Sequence, residues 1–389
     1  MRGSLQRRGK GSWRLVFDLE RDHTGKRRQK VVSFKGNKRD AEAELSRILA
    51  EIKNGGFVEA GKLLVKDYLE RWLADHGTLK VSAKTAERYA EICRQHLIPA
   101  LGHHKLSKLH ALHIQASYTE AINSGRRDGK GGLSPRTVLQ HHRVLRMALQ
   151  QAVKFELIAR NPADAVDAPR FEQKKMVVLD EGQVATLLKG AHGTILYVPI
   201  LLAATTGMRR GEILALRWSA LDLERGTVAV VQSLEQLIGG LHFKEPKTER
   251  SKRSITLPSV TIEALRQHKA RQARQRLQLG LGRDDNGLVC ARYDGEPRSP
   301  KSLTREFKGL VAKLDIPRIT FHGLRHSHAT QLLRAGIHPK VAQERLGHST
   351  IATTMDLYSH VTESMQEDAA ARVDAVLRAA IGKQKSNKN

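Results

Sequence analysis

Alternating apolar and polar positions near the N-terminus predict a small sheet followed by a helix. The stretches "SWRLVFDLE" (12–20) and "RQKVVSFKG" (28–36) alternate in this way, with the turn sequence "RDHTGKR" between them. Residues 37–56 then place their apolar positions on one helical face, with Asn37 as a cap and a Gly-Gly pair as a stop. We therefore expect a β-β-β-α order over residues 1–57.

The next hundred residues show helical periodicity throughout. Gly or Pro punctuates the ends of four amphipathic stretches. These stretches span 63–77, 82–102, 110–125 and 134–162. Residues 61–168 are thus predicted to form a helical domain, and the polar, proline-containing stretch 161–175 is predicted to be a linker.

The last region, 175–389, mixes helical patterns with one β patch. Residues 227–236, 241–246 and 252–258 predict a three-stranded meander, with a basic hairpin "KEPKTERSKR" (244–253) between its last two strands. The amphipathic segment 363–382 could dock on a neighbouring protomer or fold back on its own domain. The fold class expected is multidomain and mainly α, with a mixed, mostly helical last domain that holds a small antiparallel sheet.

Charge changes this picture most. The formal net charge is +27 and the pI is near 10.3, and residues 1–39 hold thirteen Lys and Arg against three Asp and Glu. Nucleic acid is the commonest polyanion that such a surface meets. A small basic sheet backed by a helix could lay its strands into a DNA groove, although a solvated basic face is the simpler interpretation of that segment alone.

Other features exclude several classes of protein. The two cysteines lie far apart without metal-ligand spacing, which supports neither a disulfide framework nor a zinc finger. The basic N-terminus lacks the apolar stretch of a secretory signal, and the most apolar segment, "ILYVPILLAATTGM" (195–208), is too short to cross a bilayer. We expect a soluble intracellular protein with no membrane partner.

The stretch "HGLRHSHAT" (322–330) is open to two interpretations. His322 and His326 are one helical turn apart, as two zinc ligands on a helix would be, but no "HExxH" glutamate and no local third ligand accompany them. His322 and Arg325 also share a helical face, from which both could donate to a phosphate. His326 and His328 are then expected to be structural.

Three further polar clusters accompany this stretch, namely "TTGMRRGEIL" (205–214), "KEPKTERSKRSITLP" (244–258) and "ERLGHSTIATTMDLYSHV" (344–361). In this order and spacing the four clusters resemble those of the tyrosine recombinases, the phage-type integrases. The resemblance covers residues 175–365 strongly and 61–168 more weakly, and residues 1–57 resemble the arm-type DNA-binding domains of some integrases. It implies an arm-type domain (1–57), a helical, SAM-like core-binding domain (61–168) and a catalytic domain (175–389).

The resemblance also assigns roles. The catalytic positions that match are Arg209, Lys247, His322, Arg325, His348 and the nucleophile Tyr358. Glu212 matches the acid of the first motif and is expected to orient Arg209. Lys244 and Lys252 compete with Lys247 on the same hairpin, but the family pattern favours Lys247.

These residue types suit the chemistry that the resemblance implies. A phosphorane carries extra charge on its non-bridging oxygens, which two fixed guanidiniums match well. A tyrosine, with an ordinary pKa near ~10, needs a base such as His322 or a strong positive field to act as a nucleophile. Lysine can protonate the leaving 5′-oxygen, and His348 can donate to a non-bridging oxygen. No cofactor and no metal is expected.

The function expected is therefore site-specific recombination of double-stranded DNA through a covalent 3′-phosphotyrosine. We expect core and arm attachment sites, a homotetramer on paired DNA, accessory DNA-bending or excision factors, and a bacterial cytoplasmic setting. The arm-type segment favours the integrase of a phage or other mobile element over a Xer-like chromosome resolvase. A catalytically silent DNA-binding architectural or regulatory protein and a metal-dependent nuclease are the remaining alternatives.

Overall fold

The computed structural model describes residues 3–9, 11–19, 28–53, 62–79, 81–172, 176–245, 252–282, 284, 287–355, 370–371, 373–375 and 377–378. The chain divides into two compact units, Met1–Phe171 and Glu172–Asn389. Two predicted site residues, Lys247 and Tyr358, lie outside the described residues, as does most of the C-terminal segment 363–382.

The first unit begins with the predicted sheet and helix. The elements are β1 (Gly3–Gly9), β2 (Ser12–Leu19), β3 (Arg28–Lys35) and α1 (Lys38–Lys53). The strands pair antiparallel in the order β1-β2-β3. Because side chains alternate across a strand, Leu15 and Phe17 of β2 face α1, where they pack on Ala41, Leu45 and Ile48.

A second, larger core in this unit is entirely helical. Its α-helices are α2 (Val65–Leu79), α3 (Ala83–Ile92), α4 (Ile98–Leu101), α5 (Ala111–Ser124) and α6 (Pro135–Lys154). A π-helical turn, Cys93–Leu97, joins α3 to α4, which the periodicity did not indicate. Ser134 caps α6, and that helix ends earlier than predicted because Glu156 takes a left-handed conformation with φ 55°.

The second unit is mostly helical. Its helices are α7 (Glu181–Ala191), α8 (Tyr197–Thr206), α9 (Arg210–Ala215), α10 (Ser259–Gln278), α11 (Pro300–Val311), α12 (Phe321–Arg334), α13 (Pro339–Leu346) and α14 (Ile351–Met355). The apolar helix α8 lies at the centre of the core, where Ile200 and Leu202 are completely buried. No helix within the described segments is long and apolar enough to cross a membrane.

The strands of the second unit differ from the predicted meander. They are β4 (Leu221–Asp222), β5 (Thr227–Val230), β6 (Ser233–Leu237), β7 (Gly240–Lys244) and β8 (Arg253–Thr256). Stretch 227–236, predicted as one strand, is divided between β5 and β6, which belong to different sheets: β4-β5-β8 and β6-β7. Segment 245–252 therefore joins two sheets, and the expectation of a simple hairpin between paired strands is wrong.

Candidate functional site: a buried arginine cluster

Arg209 stands at the junction of α8 and α9, where the chain turns sharply. Gly207 ends α8 with φ 66°, and a Cβ there would lie 2.5 Å from Leu346 Cδ2 and 2.8 Å from His328 Cδ2. Only glycine fits this turn. After it, Arg209 takes an extended conformation at the cap of α9, so that its side chain leaves the helix end.

Glu212 holds both the backbone and the guanidinium of Arg209. The Arg209 backbone N–H donates to Glu212 Oε2 at 2.8 Å, and Arg209 Nη1 donates to Glu212 Oε1 at 2.8 Å. The Glu212 side chain is only 7% exposed, whereas that of Arg209 is 40% exposed. A buried carboxylate thus holds a guanidinium whose outer edge remains accessible.

The carboxylate of Glu212 stays ionised. Burial alone would raise its pKa, but hydrogen bonds and charge from Arg253, and then from Arg209, bring that pKa below its ordinary value. Among the described residues it is the only acidic residue that is buried. The cluster around it is therefore strongly positive.

Arg325 lies on the first two turns of α12, which begins after the cap Thr320. Its side chain is buried, and its Nη1 donates to the Gly207 carbonyl at 2.7 Å. Its Nη2 is buried and has no hydrogen-bond partner among the residues that the structure describes. An unsatisfied charged donor is costly unless a ligand accepts from it.

The electrostatics of Arg325 agree with an anion site. Burial and the positive charge of Arg209 lower the pKa of Arg325 to about 9. At neutral pH the guanidinium is still protonated, but its charge is poorly compensated. An anion close to Arg209 and Arg325 would relieve both the repulsion and the missing hydrogen bond.

His322 and His326 are one turn apart on α12, and their ring centroids are 4.8 Å apart with perpendicular planes. Partial desolvation, followed by the charges of His326, Arg325 and Arg209, lowers the pKa of His322, which remains an exposed residue. Its imidazole is neutral at physiological pH and can accept a proton. Within the described residues, no group of three His, Cys, Asp or Glu side chains could hold a metal ion.

His348 follows α13 and the left-handed Gly347. The Gly347 carbonyl accepts from Arg209 Nη2 at 2.8 Å, so this turn contacts Arg209 directly. His348 Nδ1 and the buried Thr354 Oγ1 are 2.9 Å apart, so the ring is held with Nε2 on its other side. Burial, then the charges of Arg325 and Arg209, lower the pKa of His348 to about 4.

His328 is a buried residue of α12, and its contacts stabilise the fold. Arg345 donates to His328 Nε2 at 3.3 Å and to the Thr205 carbonyl at 3.0 Å. These contacts hold α13, which leads to His348, against the end of α8, which leads to Arg209. His328 thus packs behind the arginine cluster.

The structure therefore brings together five of the predicted residues: Arg209, Glu212, His322, Arg325 and His348. Lys247 lies outside the described residues, and so does Tyr358. The two competing lysines are engaged elsewhere, since Lys244 pairs with Glu235 and Lys252 lies 3.7 Å from Glu245.

Pattern reasoning missed two residues that contact this set. Arg253 donates to Glu212, and Thr354 contacts His348. The signal for Arg253 was its place at the start of the strand "RSIT", where alternation puts it on the same side as buried Ile255. Nothing local distinguished Thr354 from Thr353, the other threonine of α14.

Chemically, the cluster is a preorganised oxyanion site. The guanidiniums of Arg209 and Arg253 bind the carboxylate of Glu212, and the buried Arg325 keeps one donor without a partner among the described residues. The imidazoles of His322 and His348 lie within electrostatic range of Arg209 and Arg325. Guanidiniums in this arrangement suit the non-bridging oxygens of a phosphate.

Comparisons with known proteins identify the family of this chain. Residues 178–365 match the Phage integrase family, and residues 64–121 match the N-terminal SAM-like domain of phage integrases. A tyrosine recombinase XerC-like protein of Caldanaerobacter subterraneus is 27% identical over 380 residues, 93% of this chain and 95% of that protein. The ICEBs1 integrase of Bacillus subtilis is 29% identical over 248 residues, 63% of this chain and 67% of that protein.

Solved structures share the fold. The Tn1549 transposon integrase in complex with transposon right end DNA has a TM-score of 0.65 and 24% identity, over 80% of this chain and 99% of that chain. A lambda integrase tetramer bound to a Holliday junction has a TM-score of 0.58 and 20% identity, over 91% and 94%. The chain belongs to the phage integrase family, the tyrosine recombinases, which are enzymes that cleave and rejoin DNA at specific sites.

Proposed function

We propose that the arginine cluster binds the scissile phosphate of DNA and that Tyr358 attacks it. The observation that carries this proposal is the buried, unpartnered Nη2 of Arg325 within the described chain, beside the partly exposed Arg209. A phosphodiester oxygen supplies the acceptor that this donor lacks. Donors that are fixed before the reaction stabilise a phosphorane without reorganising, and each contributes a few kcal/mol to lowering the barrier.

The reaction then balances as a transesterification. The Tyr358 Oη–phosphorus bond forms and the bond from phosphorus to the 5′-oxygen breaks, which leaves a 3′-phosphotyrosine and a free 5′-hydroxyl. His322, the base that the resemblance assigns, accepts the phenol proton. Lys247 gives a proton to the leaving 5′-oxygen, and His348 donates to a non-bridging oxygen.

Rejoining reverses these steps. A 5′-hydroxyl from a second DNA strand attacks the phosphotyrosine, so the energy of the broken phosphodiester is kept and no nucleotide cofactor is consumed. The charge that divalent metals supply in two-metal nucleases comes here from Arg209, Arg325 and Lys247.

The domain boundaries proposed are an arm-type DNA-binding domain at 1–57, a helical core-binding domain at 61–168 and the catalytic domain at 175–389. For the first, the face of the sheet opposite its buried face carries Arg14 and Lys35, together with Val16 and Val31. Arg14 on β2 lies between Gln6 of β1 and Ser33 of β3, and such side chains donate to phosphates and base edges. This face supports binding to arm sites that are separate from the core site.

We also infer the assembly and the setting. Lambda integrase is a tetramer on a Holliday junction, which supports a homotetramer on paired DNAs for this chain. Relatives from an integrative element and from mycobacterial phages support integration and excision of a mobile element in a bacterial cytoplasm, aided by accessory DNA-bending or excision factors.

A chromosome resolvase is the second candidate, because the XerC-like relative aligns over 93% of this chain. Removal of residues 1–57 separates the two functions. An integrase that uses arm sites retains core-site cleavage after this truncation but loses integration, whereas a resolvase that needs only core sites recombines equally well without them.

The test of catalysis is a nicked suicide substrate, in which the short 5′-fragment diffuses away and the covalent protein–DNA complex accumulates. Wild type is expected to form this complex and Tyr358→Phe is expected to form none. Equal amounts of complex in the two proteins would refute the assignment of Tyr358, and no complex in either would favour an architectural DNA-binding protein.

A further inference from the structure

Arg253 is a buried arginine at the start of β8, and it reaches two parts of the site at once. Its side chain is 6% exposed. Nη2 donates to Glu212 Oε2 at 2.8 Å and Nη1 donates to Glu212 Oε1 at 3.2 Å. Nε donates to the Arg345 carbonyl at 2.9 Å, so all three nitrogens of the guanidinium are engaged.

Both groups that Arg253 holds also determine the position of Arg209. Glu212 accepts from Arg209 Nη1 and from its backbone N–H. The turn that follows Arg345 presents the Gly347 carbonyl to Arg209 Nη2. Arg253 therefore supports the two anchors of Arg209, one at each terminal nitrogen. It does so indirectly, because two guanidiniums are both donors and cannot hydrogen-bond each other.

The contact at this turn is close. A Cβ on Gly347 would lie 3.0 Å from Arg253 Nη1, so the guanidinium packs directly against the backbone that faces Arg209. Removing Arg253 would leave Glu212 buried with one cation and would open space beside the turn. Both anchors could then shift, and small displacements of a reacting group cost about 10²-fold in rate.

We propose that Arg253 is a positioning residue that sets the guanidinium of Arg209 for catalysis through Glu212 and the Arg345–Gly347 turn. The proposal rests on the function proposed above, in which Arg209 contacts the scissile phosphate. It assigns Arg253 no contact with DNA. Strand β8, which follows Lys247 in the chain, thereby contributes to the position of Arg209.

The variants that test it are Arg253→Gln and Arg253→Lys. At saturating suicide DNA, the glutamine variant is expected to form covalent complex about 10²-fold more slowly, while its DNA affinity changes by no more than about threefold because Arg253 is buried. Lysine keeps the charge but cannot satisfy Glu212 and the Arg345 carbonyl together, so partial activity is expected.

Arg298 is a matched control. It is also buried and pairs with an acid, Glu306, and it donates to the Ile195 carbonyl at 3.1 Å, but it contacts no residue of the site in the described chain. Arg298→Gln should lower the melting temperature as Arg253→Gln does, yet leave the cleavage rate at saturating DNA near that of wild type.

A double-mutant cycle with Arg209→Ala distinguishes positioning from a separate role. If Arg253 acts through Arg209, adding Arg253→Gln to Arg209→Ala slows cleavage little further. Additive losses in the cycle, or a loss in Arg253→Gln no larger than in Arg298→Gln, would overturn the proposal. Arg253→Lys supplies the same cycle if the glutamine variant does not fold.

The two proposals fail in different ways. If Tyr358→Phe still forms covalent complex, the proposed catalytic assignment fails whatever Arg253 does. If wild type is active, Tyr358→Phe is inactive and the Arg253 cycle is additive, only the positioning role of Arg253 fails.

Discussion

Helices α6 and α12 carry similar chemistry but present it differently. In α6, "HHRVLR" (141–146) places two histidines beside two arginines, and in α12, "HGLRHSH" (322–328) places three histidines around one arginine. Arg146 of α6 is 57% exposed and pairs with Asp164 at 2.7 Å. Arg325 of α12 is buried and, among the described residues, keeps one donor unsatisfied.

The difference shows what makes a site out of a common sequence pattern. An exposed, paired arginine contributes little, because water and its partner already satisfy it. A buried arginine that donates to a carbonyl and has like charges nearby is strongly stabilised when an anion binds to it. Both helices hold a buried polar atom without a partner among the described residues, His141 Nε2 in α6 and Arg325 Nη2 in α12, but only in α12 is that atom part of a charged guanidinium. The buried charge, rather than the histidine-arginine spacing, distinguishes α12 from α6.

The largest expected effect separates these two arginines. Arg325→Lys is expected to slow covalent-complex formation by about 10²–10³-fold at saturating DNA, because an ammonium cannot bond the Gly207 carbonyl and a phosphate in the same geometry. Arg146→Lys is the matched change in α6 and should stay within about twofold. Single-turnover cleavage of the suicide substrate measures both, and similar rates for the two variants would erase the distinction.

The next effect concerns the turn at Gly347, which has φ 67° and a carbonyl bonded to Arg209. Gly347→Ala is expected to slow cleavage about tenfold through displacement of Arg253 and Arg209, and to cost about 1 kcal/mol of stability through the strained φ. Gly336 has φ 73°, and a Cβ there would meet nothing within 4 Å, so Gly336→Ala should cost similar stability without slowing cleavage. Equal cleavage rates in the two variants would mean that the Gly347 turn does not position Arg209.

A smaller effect, a loss of stability at low pH, is expected from buried histidines in both α6 and α12. Burial lowers the pKa of both His141 in α6 and His328 in α12 to about 4, whereas an unfolded histidine titrates near ~6.5. Below pH ~6.5 the unfolded chain therefore binds protons that the folded chain refuses, and stability falls as the pH drops toward about 4.

Each of these two histidines contributes at most about 3 kcal/mol to that fall. Urea unfolding at pH 7.5 and pH 5 measures it, and His141→Gln or His328→Gln should lose less stability between these pH values than wild type does. If acidification destabilised the variants as much as wild type, these histidines would not be the groups that titrate.

Chelation of metal ions is expected to leave the cleavage rate unchanged. His322 and His326 of α12 are one turn apart, but the described residues around them provide no set of three metal ligands. Cleavage by wild type is therefore expected to proceed equally in EDTA and in its absence, measured as initial rate on the suicide substrate. Loss of activity in chelator, restored by zinc or magnesium, would support the metal nuclease instead.

Local pattern predicted much of this fold because the relevant forces are local. Alternation gave the N-terminal strands, and helical periodicity with Gly, Pro and Ser punctuation gave α2 to α6. The division of 227–236 between two sheets could not be seen, because no Gly or Pro marks the break at Val231 and Gln232. Which strand a segment pairs with depends on distant partners.

The candidate site was predicted only in part, because the contacts that organise it join residues far apart in the sequence. The resemblance named the side chains, but the contacts that organise them are non-local: Arg209 bonds a carbonyl 138 residues away, and Arg253 bonds a carboxylate 41 residues away. Neither the unpartnered donor of Arg325 in the described chain nor the lowered pKa of His348 can be predicted from local sequence, because each arises from burial and surrounding charge.

In the proposed reaction the arginine cluster presents a DNA phosphate to Tyr358. Trapping wild-type protein on suicide DNA, digesting the complex and sequencing the DNA-linked peptide by mass spectrometry tests it most directly. We expect a single nucleotide-phosphate adduct on Tyr358, which Arg325→Lys forms about 10²–10³-fold more slowly. An adduct on any other residue, or DNA strands cut without a covalent protein adduct, would contradict it.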